Sequence, residues 1–125
     1  MKMAYDIAVA SSDGLHVDRH FGHSEVFYIV EVDESGTYET KEKRELKSPC
    51  QHGSHDEDAL LNAAKNLADC RYVLCEAIGP GAAAKLATVG VSAFETDESI
   101  EAAVKQVIRY DRRAHGLERK EKSLI

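Results

Sequence analysis

Three of the chain's six histidines fall within Leu15-His16-Val17-Asp18-Arg19-His20-Phe21-Gly22-His23-Ser24. Neutral imidazole nitrogen is a good ligand for iron, zinc and related metals. This stretch follows neither strand nor helix periodicity, so His20 and His23 belong to a loop, where Gly22 permits a tight turn that aims both rings to one side. A metal-binding loop is one reading. The other has Phe21 anchoring the loop in the core while the imidazoles cap backbone groups, and the pattern alone leaves both open. A second loop holds Cys50-Gln51-His52-Gly53-Ser54-His55. Its thiolate and two imidazoles, Cys50, His52 and His55, suit a soft metal or cluster iron, provided the loop folds toward the first. The spacing matches no closed zinc motif, and a connector with incidental histidines is the alternative.

Other candidates carry less. Cys75 lies among Val73, Leu74 and Ala77, where a free cysteine acts as a small apolar residue, and Cys70 ends a helix just before that strand. Their odd separation would put them on opposite faces if they shared a strand, so they are not expected to bridge. Gly79-Pro80-Gly81, between a strand and a helix, is a tight turn whose backbone N–H groups could also meet an anion. It is neither a dinucleotide fingerprint nor a phosphate loop, because the later glycine and the Lys-Ser/Thr pair are absent. No serine has a nucleophile-elbow context. Asp6 and Asp13 are the only carboxylates placed near one sheet edge, too few for a two-metal nuclease. The chain is therefore not expected to be an enzyme.

The elements that must position these residues follow from periodicity. Tyr5–Ala10 reads as a strand with Tyr5, Ile7 and Val9 on one face, and Ser11-Ser12-Asp13-Gly14 as a turn. Val26–Val32 is a second strand. Asp33–Gly36 closes a hairpin onto a charged return, Thr37–Leu46, whose polarity suits an edge. Ser54 and Glu57 match a capping box opening a helix of about Asp56–Ala68, with Leu60, Leu61, Ala64, Leu67 and Ala68 on its apolar side. Tyr72–Glu76 is a buried strand, Ala82–Thr88 a short helix stopped at Gly90, and Val91–Phe94 a last strand. Thr96 or Asp97 is the expected cap of a final helix carrying Ile100, Ala103, Val104, Val107 and Ile108. The order β-β-β-α-β-α-β-α implies an α/β domain with a mixed five-stranded sheet and flanking helices.

Composition bounds the rest. With 125 residues, 43% apolar, the chain suits one domain, taken as residues 1–110, with a charged C-terminal extension over 111–125. Arg109, Arg112, Arg113, Arg119, Lys120 and Lys122 are interspersed with Asp111, Glu118 and Glu121, as on a solvated helix end and tail. A formal charge of −6 disfavours a general nucleic-acid binder. No apolar run reaches membrane-span length, and the acid at Asp6 does not fit a signal peptide, so a cytoplasmic protein is expected. Three cysteines at uneven spacing fit a reducing compartment rather than a disulfide framework.

The combined pattern resembles the dinitrogenase iron–molybdenum cofactor-binding family, the small domains related to NifX and to the C-terminal part of NifB. The resemblance spans about Tyr5 to Ile108. It is carried by Val17-Asp18-Arg19-His20-Phe21-Gly22-His23-Ser24-Glu25-Val26-Phe27, Leu67-Ala68-Asp69-Cys70-Arg71-Tyr72-Val73-Leu74-Cys75, Ala77-Ile78-Gly79-Pro80-Gly81, Leu86-Ala87-Thr88-Val89-Gly90-Val91 and Ile100-Glu101-Ala102-Ala103-Val104. It implies a ribonuclease H-like fold without nuclease activity, and a carrier that binds an iron–sulfur type cluster, the iron–molybdenum cofactor or a precursor, during assembly for nitrogen fixation. His20 and His23 correspond to the motif histidines, with Arg19 and Gly22 shaping the pocket. Gly79 and Gly81 are added as cofactor-binding candidates from the anion-turn reading. Cys50, His52 and His55 are added as ligands from residue type alone. The implied partners are cluster donor and acceptor proteins. Two other readings remain: a zinc or other divalent-metal regulatory module using the same loops, and a metal-free protein–protein adaptor. The sequence does not give the oligomeric state.

Overall fold

The computed structural model describes residues 4–46 and 57–123. In chain order these form β1 (Tyr5–Ala10), β2 (Val26–Val32), β3 (Tyr38–Glu45), α1 (Glu57–Asn66), β4 (Tyr72–Cys75), α2 (Pro80–Thr88), β5 (Ser92–Glu95) and α3 (Ile100–Ser123), with a 3-10 turn at Phe21–His23. The five strands make one mixed sheet in the order β3-β2-β1-β4-β5. β1 pairs antiparallel with β2 and parallel with β4, β2 pairs antiparallel with β3, and β4 pairs parallel with β5. The short Asp33–Gly36 connection allows the antiparallel pairing of β2 and β3, whereas the parallel pairs are reached through α1 and α2. The sequence-based element order and the mixed five-stranded sheet are both observed.

Strand alternation divides the interior. Ala8 and Ala10 face α1 and α2, packing with Leu60, Ala63, Ala64, Leu67, Ala82 and Leu86. Ile7 and Val9 face the other way, onto Ile100, Ala103, Val104, Val107 and Ile108 of α3. The sheet is thus covered on both sides, which is why the central strand β1 is apolar at consecutive positions over Ile7–Ala10. β3 is exposed or half-buried throughout, as its charge pattern requires of an edge.

Several local expectations change. α1 stops at Asn66, so Ala68 lies in the following turn and is exposed, while Ala63 takes its place on the buried side. α2 starts at Pro80, whose fixed φ and missing N–H suit the first turn of a helix. α3 is capped by Ser99, whose Oγ accepts from Ala102 N at 3.1 Å, rather than by Thr96 or Asp97. Thr96 instead accepts from Glu98 N within the preceding loop. Cys70 precedes β4, so strand alternation does not apply to it, and Cys70 and Cys75 line the same apolar cluster as free thiols. Burial pushes both thiols up to about 12.

α3 continues without interruption past Tyr110. Asp111 is buried, and its Oδ1 accepts from Tyr72 Oη at 2.6 Å and from Arg71 Nη1 at 2.9 Å. The Arg71 guanidinium lies 4.6 Å from the centre of the Tyr5 ring. One residue on, Arg112 Nη2 donates to Ser35 O at 2.7 Å and ties α3 to the β2–β3 turn. Gly36 there is left-handed, φ 89°, and a Cβ at that position would collide with the Arg112 guanidinium.

Candidate metal-binding site

The histidine loop leaves β1 at the end of the sheet where the parallel strands β1, β4 and β5 also finish. It is held along its length. Ser12 donates from N (2.8 Å) and Oγ (2.5 Å) to Asp18. Asp13 Oδ1 accepts from Leu15 N and His16 N, and these backbone donors hold its carboxyl well below the usual carboxylate range. Val17 N donates to Glu98 O at 3.0 Å and Ile100 N to Leu15 O at 2.8 Å, fixing the loop to the start of α3. Glu76 N donates to Arg19 O at 2.8 Å and Phe21 N to Ala77 O at 2.9 Å, fixing it to the residues after β4. Val17 enters the α3-side core and Phe21 the opposite one, so the loop closes the end of both layers.

Phe21 is 1% exposed and its ring centre lies 5.8 Å from that of Phe27. The anchoring half of the structural alternative is therefore correct. Its capping half is not observed at His20, which occupies the N-cap position of the 3-10 turn without a side-chain capping hydrogen bond. His20 and His23 are both exposed, with ring centres 6.5 Å apart. A 3-10 turn has about three residues per turn, so positions i and i+3 eclipse, and the two imidazoles share one side of the loop. Gly22 lies inside this turn and not among the left-handed glycines, which are Gly14, Gly36 and Gly90.

Glu76 is a site residue that sequence reasoning passed over. Its Oε1 lies 3.5 Å from His20 Nε2, and both side chains are about half exposed. The available signal was an acid directly after the buried run Val73-Leu74-Cys75, at the carboxyl end of a parallel strand. The Gly79-Pro80-Gly81 turn begins two residues beyond Ala77, the backbone partner of Phe21. No side chain caps α2 there, and a Cβ at Gly79 or Gly81 would meet no atom within 4 Å. The turn is open to solvent. Ile78 N is taken by Glu95 Oε2 at 2.9 Å. Arg19 is exposed and contributes its carbonyl to the loop scaffold. Cys50, His52 and His55 lie outside the described residues, as do Ser54 and Asp56 of the expected helix start.

Among the described residues, no group of three or more His, Cys, Asp and Glu side chains is already arranged to hold a metal ion. The carboxylates of the nuclease reading do not converge: Asp6, near the start of β1, pairs with Lys41 at 2.9 Å, while Asp13 lies beyond the other end of that strand against His16. Among the described residues no helix is long and apolar enough to cross a membrane.

Fold and site together define a small α/β domain presenting an exposed imidazole pair beside an uncapped strand-to-helix turn. The chain belongs to the family described as dinitrogenase iron–molybdenum cofactor, which it matches over residues 3–110. It is similar to NifY of Klebsiella pneumoniae, 34% identical over 79 residues covering 63% of this chain and 32% of NifY. It is 34% identical over 104 residues to the FeMo cofactor biosynthesis protein NifB of Frankia alni, covering 81% of this chain and 20% of NifB. Similarity to NifX of Rhodobacter capsulatus is 29% over 105 residues, 81% of this chain and 66% of NifX. The chain thus spans a third or less of the matched NifY and NifB proteins. Among solved structures it resembles the apo orange protein of Desulfovibrio gigas, with TM-score 0.54, 27% identity and coverage of 90% and 88% of the two chains. A dinitrogenase-related protein of Methanocaldococcus jannaschii shares the fold with TM-score 0.54 at 16% identity, over 86% and 90% of the two chains.

Proposed function

We propose that this protein binds and carries an iron–sulfur type metallocluster, the iron–molybdenum cofactor or one of its precursors, during cofactor assembly for nitrogen fixation. The observation that carries this reading is the exposed, eclipsed His20–His23 pair on a loop fixed at both ends, in a chain that matches the family from residue 3 to residue 110. A carrier must release its cargo, and an accessible pair of imidazoles holding one end of a cluster leaves the other positions free for a recipient. The donor set fits: imidazole nitrogens bind iron, and the open space at Gly79 and Gly81 beside the free end of α2 suits a bulky cargo of negative charge. Arg19 and Gly22 shape the histidine side of this pocket. Cys50, His52 and His55 are proposed as further donors from the neighbouring loop.

In this reading the protein is a carrier and not a catalyst, its partners are the proteins that donate and receive the cluster, and it works in the cytoplasm. The order β3-β2-β1-β4-β5, with β2 antiparallel to its neighbours, supports a ribonuclease H-like fold. Elemental analysis and visible absorption after anaerobic purification test the function. Iron with charge-transfer absorption is expected. Stoichiometric zinc without colour supports the divalent-metal module instead, and a metal-free, colourless protein that takes up no supplied cluster removes the carrier reading.

A further inference from the structure

We propose that Glu76 is a third donor of the His20–His23 site, completing a two-imidazole, one-carboxylate set for a borderline divalent metal ion such as ferrous iron or zinc, free or as the outer iron of a cluster. This rests on the reading of His20 and His23 as metal-facing. Two donors each about 2.0–2.2 Å from one ion and subtending about 90–110° lie roughly 3.0–3.6 Å apart. The 3.5 Å between Glu76 Oε1 and His20 Nε2 falls in that range. The two groups are set by the same backbone ladder: Glu76 N donates to Arg19 O, Phe21 N to Ala77 O, and His20 and Ala77 form an isolated parallel bridge. The carboxylate is therefore carried to the imidazole by the fold and not by a chance rotamer of a distant chain.

The third donor completes the set by a small movement. Two imidazoles sharing one ion at about 110° have ring centres roughly 5 Å apart, from nitrogen–metal distances of about 2.0–2.1 Å. The observed 6.5 Å closes to that value by rotation of exposed rings while the loop backbone stays in place. This explains why no three-donor group is pre-arranged among the described residues although three suitable donors adjoin. The open coordination positions opposite these three are those a transferable ligand would occupy. The negative charge of Glu76 also favours a cation at His20 over a free anion.

Anaerobic titration with cobalt(II) alone, followed by its ligand-field absorption and by competition with zinc, tests the assignment. Wild type is expected to bind one ion per chain, Glu76→Gln to bind about tenfold more weakly or worse, and His20→Ala/His23→Ala to lose the site. The half-exposed Glu76 side chain makes no core contact that the amide would break, so Glu76→Gln should melt within a few degrees of wild type. If Glu76→Gln binds like wild type while the double histidine variant loses the ion, Glu76 is not a donor and the imidazole site stands. If the double histidine variant binds like wild type, the histidine reading fails, and this inference with it. If wild type binds no cobalt or zinc yet takes up a cluster, the Glu76 donor role is overturned and the carrier reading survives.

Discussion

Replacing Asp111 by alanine tests whether α3 remains part of the folded domain beyond Tyr110. Asp111 is 8% exposed and its Oδ1 serves both Tyr72 Oη and Arg71 Nη1. Removing one partner of a fully buried ion pair costs about 3–5 kcal/mol, because the other charge is stranded. That value does not apply here, since the Arg71 side chain is 38% exposed and rehydrates, which reduces its share to that of a surface pair, about 0.2–1 kcal/mol. The Tyr72 hydroxyl has no such escape: the residue is 3% exposed, and an unsatisfied buried hydroxyl costs about 1–3 kcal/mol. The sum is about 2–3 kcal/mol, or a melting temperature lowered by roughly 6–15 °C for a domain of this size. The assay is urea unfolding of wild type, Asp111→Ala, Tyr72→Phe and the double variant. A coupling energy of about 1–2 kcal/mol is expected, because the Tyr72→Phe background no longer holds a hydroxyl to strand. A loss below about 0.5 kcal/mol, or strict additivity, would refute the reasoning and place the end of the cooperative unit before Asp111.

Further outcomes follow from the same contacts. Phe21→Ala should cost about 3–5 kcal/mol by chemical denaturation, since the ring is 1% exposed and stacks on Phe27; a loss under about 1 kcal/mol would mean that the histidine loop is not anchored by it. In a Cys50→Ser background, Cys70 and Cys75 should resist a thiol reagent at pH 8 in the native state and react at once in denaturant, because burial pushes both up to about 12; rapid native labelling contradicts this. Hydrogen bonds from Arg44 hold the Asp69 carboxyl below its ordinary range. Its contribution is therefore present above the unfolded value near pH 4 and lost as the pH falls through the lower folded one, so Arg44→Ala should flatten the acid limb of stability against pH below about 4, and an unchanged limb refutes the pairing.

The fold was legible where burial imposes a period. Tyr5–Ala10 alternates between two cores, and Ile100, Ala103, Val104, Val107 and Ile108 recur on one face of α3, so both elements follow from their apolar spacing. Helix ends were less legible, because several polar residues compete for each cap. Ser99, directly before Ile100, caps α3 although Thr96 and Asp97 are as suitable by type. Ala68 continues the apolar stripe of α1, but the chain has already turned to deliver Cys70 to the core. His20 and His23 were visible by type, whereas Glu76 was not, since its place beside His20 comes from a backbone ladder between segments more than fifty residues apart. Local spacing carries no trace of such pairing.

The central claim is that the His-Phe-Gly-His loop binds a metallocluster. Its most direct test is anaerobic titration of an iron–sulfur cluster into wild type and His20→Ala/His23→Ala, read by iron retained after gel filtration and by visible absorption. Wild type should retain the cluster with its charge-transfer bands, and the double variant, folded by circular dichroism, should release it on the column. Equal retention by the two proteins would contradict the assignment of the loop.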